Sequence, residues 1–384
     1  MRMQLKFICF LALALIALCA LSACNKKSSA HKTVVIGADL ELTGAVATAG
    51  QGAKEGIELA VSEQNRNGGL FGKQIELVVL DNKSDPVEAA NQAEKLITEQ
   101  HVLAILGPVT SGNSKAAAPI AQDGGVVLFT PTATNPAVTP IGTFIFRACF
   151  LDSFQGQTLA RFAHKQLKAS RMAVLVENGN DYAKGLGEFT AGEFSKLGGQ
   201  VVSQEYYSKD EKDFTPILTK IKSAQPDVII VPAYYETVGL CIKQAREMGY
   251  TVPILGGDGW DSPKLVEIAG AKNLNNTYFT NHYSSQDPAT EVQTFVHKYQ
   301  AQYHKIPDTF AALGYDTAGI LFDAIRRANA MDSEKIRAAL AQTKDFHGVT
   351  GAITMGADRN PIKSISVLAL KDGQQRLVVK MAPQ

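Results

Sequence analysis

Over 384 residues the chain carries one tryptophan, seven histidines and five cysteines, and its 38 basic residues are matched by 37 acidic ones. That balance leaves no basic surplus to attract nucleic acid. The histidines never adopt the His-x-x-x-His spacing that puts two zinc ligands on one helix face, and the one regular pair, His297 and His304, reads as surface. No metal or cofactor is expected. No Gly-x-Ser-x-Gly elbow is present to expose a nucleophile, so the chain does not read as an enzyme. The stretch Gly50-Gln51-Gly52-Ala53-Lys54-Glu55-Gly56 comes near a dinucleotide fingerprint. Its last glycine is one residue late, and about a dozen residues separate it from the strand ending near Ala38, so close packing at a helix start is the better reading.

Long apolar runs are confined to the beginning. Arg2 and Lys6 precede an apolar stretch from Phe7 to Ala20, too short to sit comfortably as a membrane span, and Leu21-Ser22-Ala23-Cys24 follows. Residues 1–23 read as an export signal. The tetrapeptide resembles the lipobox of bacterial lipoproteins, which implies cleavage before Cys24 and a lipid on its sulfur; a plain signal cut near Ala23 is the other reading. Residues 24–32 are polar and aperiodic, as a tether between lipid anchor and folded body would be. Removing the signal also removes Cys9 and Cys19, leaving Cys149 and Cys241 as the candidates for pairing outside the cytoplasm. Two buried free thiols are expected, because a body this long needs no disulfide scaffold.

The remaining body of about 360 residues suggests two domains. Strand-like runs at Thr33 to Ala38, Gln74 to Asp81, Val102 to Leu106 and Val126 to Phe129 alternate with helical stretches near Gln51 to Asn67, Pro86 to Gln100 and Asn113 to Gln122. This is the rhythm of a parallel α/β sheet. It restarts after Arg147, with strands at Met172 to Glu177, Gln200 to Tyr207, Asp227 to Val231 and Ile254 to Leu255. A largely helical block from Pro288 to Ala341 and a closing set of strands then suggest that the chain crosses between two lobes more than once.

Chemistry gathers between Ile105 and Pro136. Twice an apolar strand runs into small and hydroxyl residues and then towards a helix, first as Gly107-Pro108-Val109-Thr110-Ser111-Gly112, then as Thr130-Pro131-Thr132-Ala133-Thr134-Asn135. Helix starts offer unpartnered N–H groups and a partial positive charge, and ligands of open α/β sheets sit beyond the carboxyl ends of the strands. Two such turns can hold a small anion without a cationic side chain; the same residues also serve as ordinary caps. In the second half, Tyr182, Tyr234 and Asp258 follow successive strands. Asp258, between two glycines, can meet an ammonium group, or simply make a turn; Asp181 can cap a helix and Tyr235 can pack in a core. A carboxylate socket facing a carboxylate with aromatic walls describes a zwitterionic amino acid.

At these residues the chain resembles the substrate-binding proteins of branched-chain amino-acid ABC transporters, the Leu/Ile/Val-binding group of type I periplasmic binding proteins. The likeness runs through Gly37-Ala38-Asp39-Leu40-Glu41-Leu42-Thr43-Gly44, Asn67-Gly68-Gly69-Leu70-Phe71-Gly72, both turns, and Asp213-Phe214-Thr215. It implies two doubly wound α/β lobes with parallel central sheets, joined by three crossovers near Phe150, His282 and Ile362. Lobe 1 would hold residues 33–150 and 283–362, and lobe 2 residues 151–282 and 363–384. It also implies that Ser111 and the backbone at Thr134 hold the ligand carboxylate. The ammonium would meet the Thr132 carbonyl, the Thr134 hydroxyl and Asp258, with Ala133 in the same turn and Tyr182 and Tyr234 as aromatic contacts.

Two departures from the family pattern stand out. Ala49 stands where the family has a large aromatic, which would enlarge the pocket or leave that wall to Trp260 or Tyr315; Val109 and Thr110 are the other wall candidates. Ser84 and Thr110 replace the lobe 1 disulfide. The expected function is therefore that of an exported, lipid-anchored, monomeric receptor, which closes on an amino acid and hands it to a membrane permease. A sensor of the same fold for a small amide, carboxylate or aromatic acid is the first alternative, and an exported enzyme the second.

Overall fold

The computed structural model describes residues 33–382, so the leader, Cys24 and the tether lie outside the described residues. Strand β1 (Thr33–Leu40) is apolar along most of its length, as a strand covered on both faces must be. Helix α1 (Ala47–Arg66) leads to β2 (Gln74–Asp81) and α2 (Pro86–Thr98), and α2 opens as its sequence suggests: Asp85 accepts from Val87 N and Glu88 N, and Pro86 fills the first turn. Then come β3 (Ala104–Leu106), α3 (Ser111–Asp123), β4 (Val127–Thr130) and β5 (Ile145–Arg147). The five strands are parallel, in the order β2-β1-β3-β4-β5. The order reverses between β1 and β3, which opens a crevice beyond their carboxyl ends.

The chain then leaves this sheet. Helix α4 (Asp152–Arg161) precedes β6 (Arg171–Glu177), α5 (Asp181–Lys196), β7 (Gln200–Tyr207), α6 (Thr215–Ser223), β8 (Val228–Ile230), α7 (Tyr235–Glu247), β9 (Ile254–Gly256), α8 (Pro263–Ala269) and β10 (Thr277–Asn281). It returns to the first lobe for α9 (Thr290–Tyr303), α10 (Thr309–Ala328), α11 (Ser333–Ala341) and the small strands β11 (Phe346–Gly348), β12 (Gly351–Met355) and β13 (Pro361–Ile362). Finally β14 (Ile365–Lys371) and β15 (Gln374–Met381) close the second sheet, ordered β15-β14-β10-β9-β8-β6-β7. Its parallel part repeats the first sheet's winding, with the switch between β6 and β8; β14 and β15 add an antiparallel edge.

The architecture is thus the two-lobed, doubly wound α/β fold the sequence suggests. The chain passes between sheets three times, after Arg147, after Asn281 and after Ile362.

Glycines set the close approaches. A Cβ on Gly56 would collide with the Ala311 carbonyl and one on Gly314 with the Ala53 carbonyl, so α1 and α10 pack backbone to backbone. The glycine run in α1 is a packing device, with Gly50 equally tight against Glu41. His297 and His304 are exposed. Cys149 and Cys241 are buried free thiols, both pushed up to about 12, mainly by burial.

Candidate functional site

The first turn lies at the switch point of lobe 1. Thr110 caps α3, its side chain accepting from Asn113 N at 3.4 Å. Behind it sits Glu41, the residue after β1, with no exposed surface. Its carboxylate accepts from Val109 N, Thr110 N and Thr110 Oγ1, each at 2.9 Å, and from Asn113 Nδ2 at 3.0 Å. Asn113 also reaches Asn82 Oδ1 at 3.2 Å, and Asn82 donates to Asp39 Oδ1 at 3.0 Å. Burial raises both acids; Asp39, which also feels the charge of Glu41, lies well above the usual carboxylate range. This buried network fixes the turn, so the first N–H groups of α3 reach the crevice with their geometry set in advance.

The second turn is stitched to the first. Asn135 N donates to Ser111 Oγ at 3.2 Å, and Thr132 Oγ1 donates to the Val109 carbonyl at 2.7 Å. It does not run into an α-helix as the sequence suggests: only a 3-10 turn at Thr139–Ile141 follows, before β5. The positive charge here comes instead from Arg147, the last residue of β5, which is wholly buried. Its guanidinium donates to the Ala133 carbonyl and, at 2.8 Å, to the Asn135 carbonyl. A cationic side chain therefore underlies the turn, contrary to the expectation of a neutral socket. The Thr134 hydroxyl is buried beside Asp152 without a hydrogen bond of acceptable geometry.

Lobe 2 contributes the ends of β6, β8 and β9. Asp258 is 4% exposed; Tyr182 OH donates to its Oδ1 at 3.0 Å, and His282 Nε2 lies 3.0 Å from its Oδ2. Burial and the charge of Asp258 hold the Tyr182 phenol well above its ordinary range, so it remains a donor. Tyr182 and Tyr234 pack with ring centroids 5.1 Å apart, and Tyr234 also touches the apolar clusters of both lobes. A Cβ on Gly257 would strike Tyr182 OH, and one on Gly259 would lie tight against the Ala233 carbonyl, Tyr234 and Tyr182.

Asp152 joins the two lobes. Its backbone N donates to the Thr134 carbonyl at 3.0 Å, and its Oδ1 accepts from Gln155 Nε2 at 3.2 Å. Gln155 Oε1 in turn accepts from Asp258 N at 2.8 Å and from Thr280 Oγ1 at 2.6 Å. Burial, then the charge of Asp258, pushes Asp152 up to about 8. The lobes also meet where Lys115 pairs with Asp181 at 2.8 Å, where Asn135 Nδ2 donates to the Asp181 carbonyl at 2.8 Å, and where Thr48 N donates to Tyr235 OH at 3.1 Å. Next to these contacts a cleft of about 220 Å³ opens between Thr110 and Gly112 on one side and Asp181 and Tyr234 on the other.

Among the wall residues, Ala49 and Val109 share an apolar cluster against which Tyr234 packs. Trp260 does not face the crevice. It is fully buried in the lobe 2 core, donates from Nε1 to the Val231 carbonyl at 3.0 Å and stacks on Phe279. Tyr315 also lies elsewhere, tilted against Phe295 and donating to Glu63 Oε2 at 2.8 Å within lobe 1. Sequence reasoning assigned no site role to Glu41, Arg147, Asp152, Gln155 or His282. For Glu41 and Arg147 a charged residue at the end of an apolar strand was the available signal; Asp152, Gln155 and His282 carried none.

A family model for periplasmic binding proteins matches residues 33–375, and the chain belongs to that family. It is 30% identical over 333 residues to the Leu/Ile/Val-binding protein BraC3 of Rhizobium johnstonii, covering 85% of this chain and 88% of that one. It is similar to the crystal structure of the leucine-binding protein LivK of Thermotoga maritima, with 38% identity, a TM-score of 0.87, and 91% and 99% of the two chains covered. The substrate-binding protein LivJ of Streptococcus pneumoniae, solved with isoleucine, shows 36% identity, a TM-score of 0.87, and 91% and 100% coverage. The resemblance to the Leu/Ile/Val-type substrate-binding proteins of ABC transporters, read first from the turns, is borne out.

Proposed function

We propose that this chain is an extracytoplasmic solute-binding lipoprotein of an ABC importer, not an enzyme. It binds a branched-chain or other apolar amino acid between its lobes and delivers it to a permease as a monomer. The observation that carries this reading is Asp258: a buried carboxylate, both oxygens already held by donors, standing on the lobe opposite the Ser111 and Thr134 turns. An ammonium group supplies the charge partner such a carboxylate needs, and a ligand carboxylate suits the α3 N-terminus and the Arg147-backed turn. Ser111, Thr132, Ala133, Thr134, Tyr182, Tyr234 and Asp258 form the ligand-binding set. Ala49, Val109 and Thr110 form the wall. The apolar cluster around Ala49, Val109 and Tyr234 favours an apolar side chain.

Lobe 1 takes residues 33–150 and 283–362 and lobe 2 takes residues 151–282 and 363–384, hinged at the three passages. The ligand stabilises the closed form because it touches both lobes only there. Moving a 1:99 equilibrium to 99:1 takes about 5.5 kcal/mol of preference for the closed state.

Asp258→Ala and Ser111→Ala should each weaken amino-acid binding at least about tenfold in calorimetry on ligand-stripped protein. Unchanged affinity in both sinks the site assignment. For the anchor, Cys24→Ala should move the protein from the membrane fraction to the soluble exported fraction; continued membrane retention would count against lipidation at Cys24.

A further inference from the structure

His282 is the first residue after β10, at the start of the second passage between lobes, and is 1% exposed. Its ring lies flat on Phe150 of the first passage, centroids 3.7 Å apart and planes 18° from parallel. Phe150 is itself 2% exposed. The same ring puts Nε2 at 3.0 Å from Asp258 Oδ2, while Nδ1 is buried without a partner. One side chain thus touches two of the three passages and the carboxylate assigned to the ligand ammonium.

A carboxylate only accepts, so Nε2 carries the proton of the neutral ring. Tyr182 holds the other oxygen, and the carboxylate plane is therefore fixed from two sides. The charged groups facing the ring are Asp258, from the turn after β9, and Lys363, from the third passage; the stacking face is the uncharged Phe150. Burial, with help from Lys363, lowers His282 to about 4.

We propose that His282 is a positioning residue that couples the ammonium site to the hinge, holding Asp258 in its accepting geometry only while the ring is stacked on Phe150. This rests on the amino-acid reading of the site above. Opening the lobes shifts the first and second passages against each other and unstacks the ring. Water then reaches the imidazole and the Asp258 carboxylate is released on one side. Closure rebuilds both contacts at once, so the state that is compact is also the state whose acceptor is aimed. The sign of the pH effect follows: the ring in the closed form resists protonation, so affinity falls as pH drops from the ordinary histidine value of about 6.5 towards 4.

The test is calorimetry with L-leucine on ligand-stripped full-length protein and two variants, at pH 7.5 and pH 5. His282→Phe keeps the stack and loses the donor, and should bind at least about tenfold more weakly. His282→Gln keeps a donor at the Nε2 position but loses the stack, and should bind about as weakly as His282→Phe while abolishing the ring's share of the pH dependence. Wild-type affinity alone, followed over pH, needs no variant to fold. Unaltered binding by His282→Phe or by His282→Gln, or the same pH slope in His282→Gln as in wild type, overturns the coupling while leaving the function standing. Wild-type protein that binds neither the branched-chain nor the other apolar amino acids overturns the functional reading, and the coupling with it.

Discussion

Lys115 on α3 and Asp181 at the first position of α5 form an ion pair 2.8 Å long, and the two residues belong to different lobes. A third or more of each side chain is exposed, so solvent screens the pair and its contribution is small. On the hinge reading proposed above its location still gives it a role, because every contact made only between lobes would favour the closed form.

Lys115→Ala should therefore raise the ligand dissociation constant by up to about fivefold at low ionic strength, corresponding to about 0.2–1 kcal/mol. The difference should shrink at 0.5 M salt, about where screening removes such pairs. Titrations at two salt concentrations check this, and an effect insensitive to salt would argue against an ion-pair latch.

Glu41 presents a contrasting case, since it accepts four hydrogen bonds with no exposed surface. Glu41→Gln turns one of its oxygens into a donor facing donors. Loss of about 2–4 kcal/mol of stability is expected in urea unfolding, together with weaker ligand binding, because the Ser111 turn is no longer held. Wild-type stability in that variant would show that the network is incidental.

Asp152 makes a prediction about pH. Its carboxyl is pushed up to about 8 in the folded protein, whereas the unfolded chain gives an ordinary aspartate near 3.8. Between those values the folded state binds the extra proton. The group's contribution to stability is therefore largest in acid and declines as pH rises towards 8. Asp152→Asn mimics the neutral form and should flatten this part of the profile, raising the melting temperature at pH 8 by at least about 2 °C. Parallel wild-type and variant curves from pH 5 to 8 would contradict it. The ligand-free protein is the one to measure, because a bound ammonium would itself favour the ionised carboxyl.

How much of this was legible in the sequence depended on whether burial coincided with apolarity. The apolar strands and capped helices could be read because their buried faces are hydrophobic, as at β1 and α2. Helix α4 escaped notice because its buried face includes Asp152, Gln155, Gly156 and Thr158, so no apolar period marks it. Strand β10, Thr-Tyr-Phe-Thr-Asn, is central in its sheet yet buries Thr277, Thr280 and Asn281. Both elements carry the polar framework of the site, and polar burial is invisible to a hydrophobic pattern. Trp260 was misplaced for the opposite reason. It stands two residues from Asp258 in a glycine-rich turn, but the short 3-10 turn there sends its ring into the core.

The packing of α10 along α1 also bears on when the protein can fold. The apolar cluster of lobe 1 joins Val34, Ile36 and Ala53 to Phe310, Leu313 and Ile325, residues separated by most of the chain. Ribosomes finish the first sheet long before they supply the helix that seals it. On the export reading proposed above, such an arrangement keeps the nascent polypeptide threadable, since neither half of its core can be completed until the late segments emerge.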